Sequence, residues 1–179
     1  MPLRVVFFDR DDTLIENVPY NGDPERVVAM RFSYEALARL RANNILIAVV
    51  TNQSGVGRGW ITLNDVDAVN ARVEALLGPV AAWFICPHAP VEGCACRKPA
   101  PGLLLRALQH FDLTPAECAM VGDSLADMEA ARAAGIRGIL VPSATPLREI
   151  LEGGEMAEHL LEAVDMLLES PMPRGDSMI

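Results

Sequence analysis

Three aspartates and a threonine follow directly after a short apolar run near the start of the chain. The run Val5 to Phe8 is typical of a buried strand, and Asp9-Arg10-Asp11-Asp12-Thr13 comes straight after it. Carboxylates this close together raise one another's pKa unless a cation or hydrogen-bond donors compensate. One interpretation is a nucleophile at Asp9, an acid/base group at Asp11 and a divalent metal that holds both. The plainer alternative is an acidic turn after a strand.

Strands and helices alternate along the chain, which predicts an α/β fold with a single doubly wound parallel sheet. Strands are predicted over residues 5–8, 45–50, 81–85, 117–121 and 136–141, and helices over 34–43, 62–77, 99–110, 128–134, 146–151 and 155–168. Ser33 and Thr62 are suitable N-caps for the first two helices, and Pro79 is expected to end the second. The length of 179 residues suits one domain, assigned to residues 1–169, with a disordered tail over 170–179. No interval has room for a separate cap domain, so an open active site is expected.

Polar residues follow three of the predicted strands, and in a parallel sheet such residues collect along one edge. They are Asp9 and Asp11, Thr51 and Asn52, and Asp123 and Asp127, with Lys98 within reach of the same edge. Three carboxylates and a phosphate dianion can share a pocket only with compensating cations, and Mg²⁺ prefers carboxylate and phosphate oxygens. The set therefore predicts phosphoryl transfer, in which positioning and charge neutralisation supply most of the catalysis.

The composition disfavours several kinds of partner. A formal net charge of −9 argues against a broad basic face for nucleic acid or anionic lipid. The apolar runs have the length of strands and not of membrane spans, and the N-terminus has no secretory pattern, so a cytoplasmic protein is expected. A small phosphorylated substrate is compatible with this charge, because a local cation can reverse the field inside a cleft. The protein is expected to be a monomer.

Three of the four cysteines lie within eleven residues of one another, together with a histidine. They form the pattern C-x-H-x5-C-x-C, made by Cys86, His88, Cys94 and Cys96. In a cytosolic chain this cluster indicates a metal site, and thiolates with an imidazole favour a structural Zn²⁺ with four protein ligands. The alternative is a polar loop with chance cysteines. Zinc here would also direct Arg97 and Lys98, which follow the last ligand, towards the substrate.

Four motifs, in this order, resemble those of the haloacid dehalogenase (HAD) superfamily of phosphatases. They are Asp9-Arg10-Asp11-Asp12-Thr13, Thr51-Asn52-Gln53-Ser54-Gly55, Arg97-Lys98-Pro99, and Gly122-Asp123-Ser124 with Asp127. The resemblance covers residues 4 to about 142. It implies an aspartyl-phosphate formed on Asp9, with Asp11 protonating the leaving alcohol and then activating water. Thr51 and Lys98 would hold the phosphoryl oxygens.

The same resemblance implies ligands for the metal and contacts for the substrate. Asp9, Asp123 and the backbone carbonyl of Asp11 would bind Mg²⁺, with Asp127 in support. For a substrate that is a sugar bisphosphate, the implied contacts to the sugar or to its second phosphate are Asn17, Tyr20, Asn52, Arg58, Arg97 and Lys98. Asp12 departs from the pattern, since close relatives usually have glycine there, although aspartate tolerates unusual backbone angles better than most residues.

The cysteine loop narrows the resemblance to a zinc-bearing branch of the superfamily. Cys-Pro-His, Cys-x-Cys-Arg-Lys-Pro and Thr-Asn-Gln-Ser-Gly are shared by its heptose 1,7-bisphosphate phosphatases and its histidinol-phosphate phosphatases. Pro-Gly follows Arg-Lys-Pro in the stretch Arg97 to Leu104, which is more similar to the heptose enzymes. Removal of the C7 phosphate from D-glycero-D-manno-heptose 1,7-bisphosphate is therefore expected, with histidinol-phosphate hydrolysis as the alternative. A non-enzymatic, zinc-stabilised binding protein is the alternative from another class.

Overall fold

A six-stranded parallel sheet forms the centre of the protein. The computed structural model describes residues 2–143 and 154–169. The strands are β1 (Val5–Phe8), β2 (Leu46–Asn52), β3 (Ala82–Cys86), β4 (Cys118–Gly122), β5 (Arg137–Leu140) and β6 (Glu155–Met156), in the spatial order β3-β2-β1-β4-β5-β6. Strands β2 and β3 are added in turn on one side of β1, and β4, β5 and β6 are then added in turn on its other side. Open sheets of this kind bind ligands at the carboxyl ends of the strands, where the order reverses.

Helices cover both faces of the sheet. They are α1 (Ser33–Ala42), α2 (Ser54–Gly57), α3 (Leu63–Leu77), α4 (Gly102–Phe111), α5 (Leu125–Ala133) and α6 (Leu160–Glu169). Helices α1, α3 and α6 share an apolar core with Val6 and Phe8, while α4 and α5 share one with Val5 and Phe7. Successive side chains of a strand point to opposite faces, so β1 is fully buried on both, which explains its uninterrupted apolar run.

The predicted doubly wound α/β fold is confirmed, and its first five strands lie within two residues of their predicted bounds. The start of the last helix was wrong, because residues 155 and 156 form β6 and α6 begins at Leu160. A strand this short has no apolar alternation in sequence, and its pairing with Ile139 and Leu140 of β5 determines it. The predicted helix over 146–151 and the predicted tail over 170–179 lie outside the described residues. Within the described ranges, no helix has the length and apolarity needed to span a membrane.

The N-cap predicted for α1 was wrong, whereas the N-cap and the end predicted for α3 are confirmed. Ser33 is not the N-cap but the first residue of α1, and its hydroxyl donates to the buried carbonyl of Leu14 at 2.9 Å; Phe32 is the N-cap. Helix α3 ends at Leu77 as predicted, with Gly78 at a φ of 87° as its C-cap and Pro79 directly after it. Thr62 caps α3 as predicted, since its Oγ1 accepts from the backbone N–H of Asp65, whose carboxylate accepts from the N–H of Thr62 at 2.7 Å.

Candidate active site

The carboxyl ends of β1, β2 and β4 bring the predicted polar residues to one edge of the sheet. Phe8, the last residue of β1, pairs with Val49 of β2 and Val121 of β4, so the three strands end side by side. Asp9 follows β1, Thr51 and Asn52 end β2, and Asp123 follows β4. The site therefore lies at the point where the strand order reverses.

Lys98 reaches this edge from the loop between β3 and α4, and its buried ammonium group meets three oxygen atoms. Nζ donates to Asp9 Oδ1 at 2.7 Å and to the carbonyl of Val50 at 2.7 Å, and it forms an ion pair with Asp127 Oδ1 at 2.6 Å. Burial alone would lower the pKa of Lys98, but Asp9 and Asp127 outweigh it and raise this pKa above its ordinary value. Lys98 is the chain's only lysine, and it is a fixed cation beside Asp9.

The side chain of Asn52 holds the backbone of Lys98. Asn52 Nδ2 donates to the Lys98 carbonyl at 3.1 Å, and the Lys98 N–H donates to Asn52 Oδ1 at 3.1 Å. A cis peptide bond joins Lys98 to Pro99 directly after this pair of bonds. The structure thus gives Asn52 a positioning contact that the sequence did not indicate, and its contact with substrate stays a prediction.

Three carboxylates form an acidic cluster beside Lys98. One oxygen each of Asp9, Asp123 and Asp127 lies within 4.8 Å of the others. Burial raises the pKa of Asp9 to about 7, with Lys98 opposing the rise and Asp127 adding to it. Burial, followed by the charge of Asp127, raises the pKa of Asp123 to about 6. Carboxylates that resist ionisation in this way fit a site for Mg²⁺, because a divalent cation favours their ionised form.

Asp127 is fully buried and has partners for both of its oxygens. Oδ1 pairs with Lys98, and Oδ2 accepts from the hydroxyl of Ser124 at 2.6 Å and from its backbone N–H at 3.1 Å. These bonds also cap α5 and explain why that helix begins at Leu125, three residues before its predicted start. This pairing fits the supporting role that the motif resemblance implied for Asp127.

The carboxylate of Asp11 turns away from the acidic cluster towards other partners. Gln53 Nε2 donates to Asp11 Oδ2 at 2.8 Å and also to Thr51 Oγ1 at 2.9 Å. The guanidinium of Arg10 approaches the same carboxylate, with Nη2 3.2 Å from Oδ2. Sequence reasoning gave Arg10 and Gln53 no role of their own. The one signal for Arg10 was its position between two aspartates, which does not distinguish a buried partner from a solvated loop residue.

A cleft of about 280 Å³ opens beside Asp11. Of the predicted substrate contacts, Asn17, Tyr20 and Asn52 line it, and Arg58, Arg97 and Lys98 do not. Arg58 stands beside the cleft, because its guanidinium lies 6.0 Å from the ring centre of Tyr20 and 5.1 Å from that of Trp60. Asp11, two residues after Asp9 in the chain, is the one catalytic aspartate of the prediction that lines this cleft.

Asp12 has the left-handed backbone conformation that glycine adopts most easily. Its φ is 59°, and its side chain accepts a hydrogen bond from Asn17 Nδ2 at 3.1 Å. Aspartate is among the few other residue types that adopt this conformation at modest cost. Asp12 thus adopts a backbone conformation that glycine would also permit.

The three cysteines and the histidine of the β3–α4 loop form a compact cluster, defined here as the cysteine loop site. The Sγ atoms of Cys86, Cys94 and Cys96 lie 3.2–3.6 Å from one another, and His88 Nδ1 lies 3.2 Å from one and 3.6 Å from another. Around a tetrahedral zinc, sulfur atoms would be about 3.8 Å apart, and a sulfur and a nitrogen about 3.6 Å. The cysteines are not joined in disulfides, so this donor set could hold zinc.

Known proteins resemble this chain in both sequence and fold. The profile of the HAD-hydrolase-like family matches residues 95–167. A D-glycero-β-D-manno-heptose-1,7-bisphosphate 7-phosphatase of Pseudomonas putida is 36% identical over 156 residues, which cover 84% of this chain and 89% of that protein. The enzyme of the same name from Pseudomonas aeruginosa is 35% identical over 84% of this chain and 87% of its own.

A solved structure extends this similarity to the fold. The crystal structure of a D,D-heptose 1,7-bisphosphate phosphatase from Bordetella bronchiseptica, complexed with magnesium and phosphate, superposes with a TM-score of 0.86. It is 32% identical in sequence and covers 93% of this chain and 99% of that one. These shares leave no large part of either protein without a counterpart in the other.

Proposed function

This chain belongs to the HAD-like hydrolases and is a phosphatase, and we propose that it removes the C7 phosphate from D-glycero-β-D-manno-heptose 1,7-bisphosphate with the help of Mg²⁺. The observation that carries the proposal is the convergence of Asp9, Lys98 and Asp123 at one edge of the sheet. The substrate is proposed by analogy with relatives that are 35–36% identical over most of this chain.

In the first step, Asp9 would attack the phosphorus atom. Lys98 occupies its Oδ1, and among the described residues no hydrogen bond reaches Oδ2, which leaves that oxygen available as the nucleophile. The Oδ2–P bond forms while the P–O bond to the sugar breaks, and Asp11 gives its proton to the departing oxygen. Lys98 and the hydroxyl of Thr51 are proposed to hold the phosphoryl oxygens.

In the second step, water would hydrolyse the aspartyl-phosphate. Asp11, now ionised, takes a proton from the water as its oxygen bonds to phosphorus, and the bond from phosphorus to Asp9 breaks. Inorganic phosphate leaves, and both aspartates return to their starting states. Gln53 and Arg10 hold the Asp11 carboxylate in one orientation through both steps, which suits a group that must act first as an acid and then as a base.

Two metal ions are part of this proposal. Mg²⁺, held by Asp9, Asp123 and the backbone carbonyl of Asp11, would neutralise charge on the phosphoryl group. Zn²⁺ in the cysteine loop site would fix the segment that carries Arg97 and Lys98. The two clusters differ in donor chemistry, since carboxylate oxygens suit Mg²⁺ and thiolates with an imidazole suit Zn²⁺.

A substrate panel tests the proposal. The purified protein is incubated with Mg²⁺ and either the β or the α anomer of heptose 1,7-bisphosphate, or with histidinol phosphate, and phosphate release is measured. Phosphorus NMR identifies which phosphate has left. We expect the fastest release from the β anomer, at C7, with the C1 phosphate retained. The Asp9→Asn variant, purified in the same way, tests whether release depends on the proposed nucleophile.

Two outcomes would overturn the substrate assignment. Faster release from histidinol phosphate than from either heptose would favour the alternative function, and loss of the C1 phosphate would contradict the proposed orientation. Full activity in Asp9→Asn would reject the covalent mechanism and, with it, the role proposed for the acidic cluster.

A further inference from the structure

Of the two buried cations near the site, Arg10 is the more deeply buried, since its side chain is only 1% exposed. Its Nη1 donates to Asn70 Oδ1 at 2.9 Å, while Nε lies 3.3 Å from Asp11 Oδ2 and Nη2 lies 3.3 Å from Asp11 Oδ1. The planar guanidinium of Arg10 is therefore bonded to Asn70 at one end and to both carboxylate oxygens of Asp11 at the other. A buried guanidinium is costly to desolvate, so a position like this calls for an explanation.

Asn70 is a firm attachment point, although it lies 60 residues away from Arg10 in the chain. It is buried in α3 between Val69 and Val73, which are core residues, and the capping box at Thr62 fixes the start of that helix. Because Arg10 is planar and bonded at Nη1 to a fixed helix, the orientation of its other edge is determined as well.

The opposite side of the Asp11 carboxylate is also fixed. Gln53 Nε2 donates to Oδ2 at 2.8 Å, and the backbone N–H of Gln53 donates to the carbonyl of Cys86 at 2.7 Å. Asp11 thus has donors on two sides, one supported by α3 and the other by the end of β3. Such a carboxylate is confined to one rotamer and one plane at the border of the cleft.

We propose that Arg10, anchored by Asn70, is a positioning residue that directs Asp11 at the leaving-group oxygen of the substrate. This inference rests on the acid role given to Asp11 under the proposed function. The competing explanation is that Arg10 only ties α3 to the loop after β1. The two explanations predict different effects of an Arg10 variant. A positioning role affects only substrates whose leaving group needs a proton, whereas a structural role affects all substrates alike.

The choice of leaving group separates the two roles, because a purely structural role would not change the relative rates of substrates with poor and good leaving groups. A sugar alkoxide is a poor leaving group and needs the proton of Asp11 as the P–O bond breaks. The nitrophenolate of p-nitrophenyl phosphate is a stabilised anion and leaves without one. A misdirected acid should therefore slow the cleavage of alkyl phosphates and spare the cleavage of p-nitrophenyl phosphate.

The experiment measures the first chemical step alone. Enzyme in excess is mixed with p-nitrophenyl phosphate or with the best alkyl phosphate of the panel, and release of the phenol or alcohol is followed in a single turnover. The variants are Arg10→Met, Asn70→Leu and Asp11→Asn, with Asn64→Leu on the exposed side of α3 as the matched control. We expect Arg10→Met to lose about 10- to 100-fold on the alkyl phosphate and less than about 3-fold on the aryl phosphate. Asn70→Leu should show the same pattern at about 3- to 10-fold.

A double variant tests whether Arg10 acts through Asp11. Adding Arg10→Met to Asp11→Asn should cause no further loss on the alkyl phosphate, because the group that Arg10 directs is already inactive. Equal losses on both substrates, or a further loss in the double variant, would overturn the inference. If Arg10→Met fails to fold, Asn70→Leu decides the question by the same criterion.

Failure of this inference is distinguishable from failure of the proposed function. If the wild type cleaves no phosphomonoester, the function itself is rejected. If it cleaves them and the variants lose both substrates equally, or lose neither, the function stands and the positioning role of Arg10 does not.

Discussion

Lys98 Nζ lies 2.7 Å from Asp9 Oδ1, although 89 residues separate the two along the chain. The same ammonium pairs with Asp127, so one cation compensates a carboxylate after β1 and another in α5. Removal of this cation would leave two carboxylates close together without a counter-charge. Lys98 is consequently important both for the charge of the site and for the attachment of the cysteine loop to the sheet.

The Lys98→Met variant should lower the free energy of unfolding by about 3–5 kcal/mol at pH 8, because it leaves buried charge unpaired. The loss should be smaller at pH 6, where Asp9 can take up a proton, since its pKa is about 7 with Lys98 present and would rise without it. Urea unfolding at the two pH values measures both effects.

Arg132→Met serves as the control for Lys98→Met. Arg132 is an exposed cation on α5, and its loss should change the free energy of unfolding by less than about 0.5 kcal/mol. A Lys98→Met protein as stable as the wild type at pH 8 would show that the two ion pairs contribute nothing to the fold.

Replacing Asp9 by asparagine should stabilise the metal-free protein increasingly as the pH rises from 5 to 8. The pKa of Asp9 is about 7 in the folded protein and about 3.8 for an ordinary aspartate, so the unfolded chain loses this proton first. Folding stability from this group is thus present at low pH and is lost as the pH rises from about 4 to about 7. The asparagine of the variant cannot ionise, and the difference in unfolding free energy between variant and wild type should widen over that interval.

Urea unfolding in the presence of a chelator measures this difference, and Asp67→Asn on the exposed side of α3 controls for the loss of one carboxylate. Added Mg²⁺ should narrow the gap, because it binds the folded wild type and stabilises it. If the difference in unfolding free energy between Asp9→Asn and the wild type is the same at pH 5 and pH 8, the raised pKa of Asp9 is contradicted.

Mg²⁺ should bind more weakly at pH 6 than at pH 8, by about tenfold or more. The pKa of Asp9 is about 7 and that of Asp123 about 6, so the ion must displace protons from its ligands at the lower pH. Titration calorimetry in two buffers of different ionisation enthalpy measures the protons released along with the affinity. Binding of equal strength at both pH values, without proton release, would argue against these two carboxylates as the ligands.

The sheet and the meeting of the motifs were predictable, because both depend on short-range patterns. An apolar run such as Val5 to Phe8 indicates a doubly buried strand, and parallel strands bring their following residues to one edge. The two-residue strand β6 was not predictable, since its residues pair with β5 only after the rest of the sheet exists. The four-residue helix α2 is likewise too short to give a periodic pattern.

The supporting contacts of the site could not be predicted, because they depend on the direction of each side chain in the folded protein. The position of Asn52 at the end of a strand suggests a ligand-facing residue, but its amide spans the backbone of Lys98. Asn70 resembles any other polar residue of a helix, but it is buried and bonded to Arg10. In both cases the partner is more than forty residues away, which no local pattern records.

Replacing Cys96 by serine should remove zinc from the purified protein and weaken substrate binding at the same time. Cys96 lies 3.2 Å from the Sγ of Cys86 and 3.2 Å from His88 Nδ1, so it contacts two other members of the cysteine loop site. Two backbone bonds of 2.7 Å tie this loop to the cleft, from Gln53 to Cys86 and from Gly57 to Pro87. Loss of the metal should therefore raise KM by about tenfold through the displaced loop, and it should also lower kcat because the same loop carries Lys98.

Cys118→Ser is the matched control, because it makes the same chemical change at a buried cysteine in β4, outside the cysteine loop site. Metal analysis should find about one zinc per chain in the wild type and in Cys118→Ser, and much less in Cys96→Ser. Cys118→Ser should lose folding stability through its buried hydroxyl and keep both its zinc and its KM. Zinc retained in full by Cys96→Ser, or absent from the wild type, would mean that the four residues do not form the site. A KM equal to that of the wild type in a zinc-free Cys96→Ser protein would separate the metal from substrate binding, and the loop would then support the fold alone.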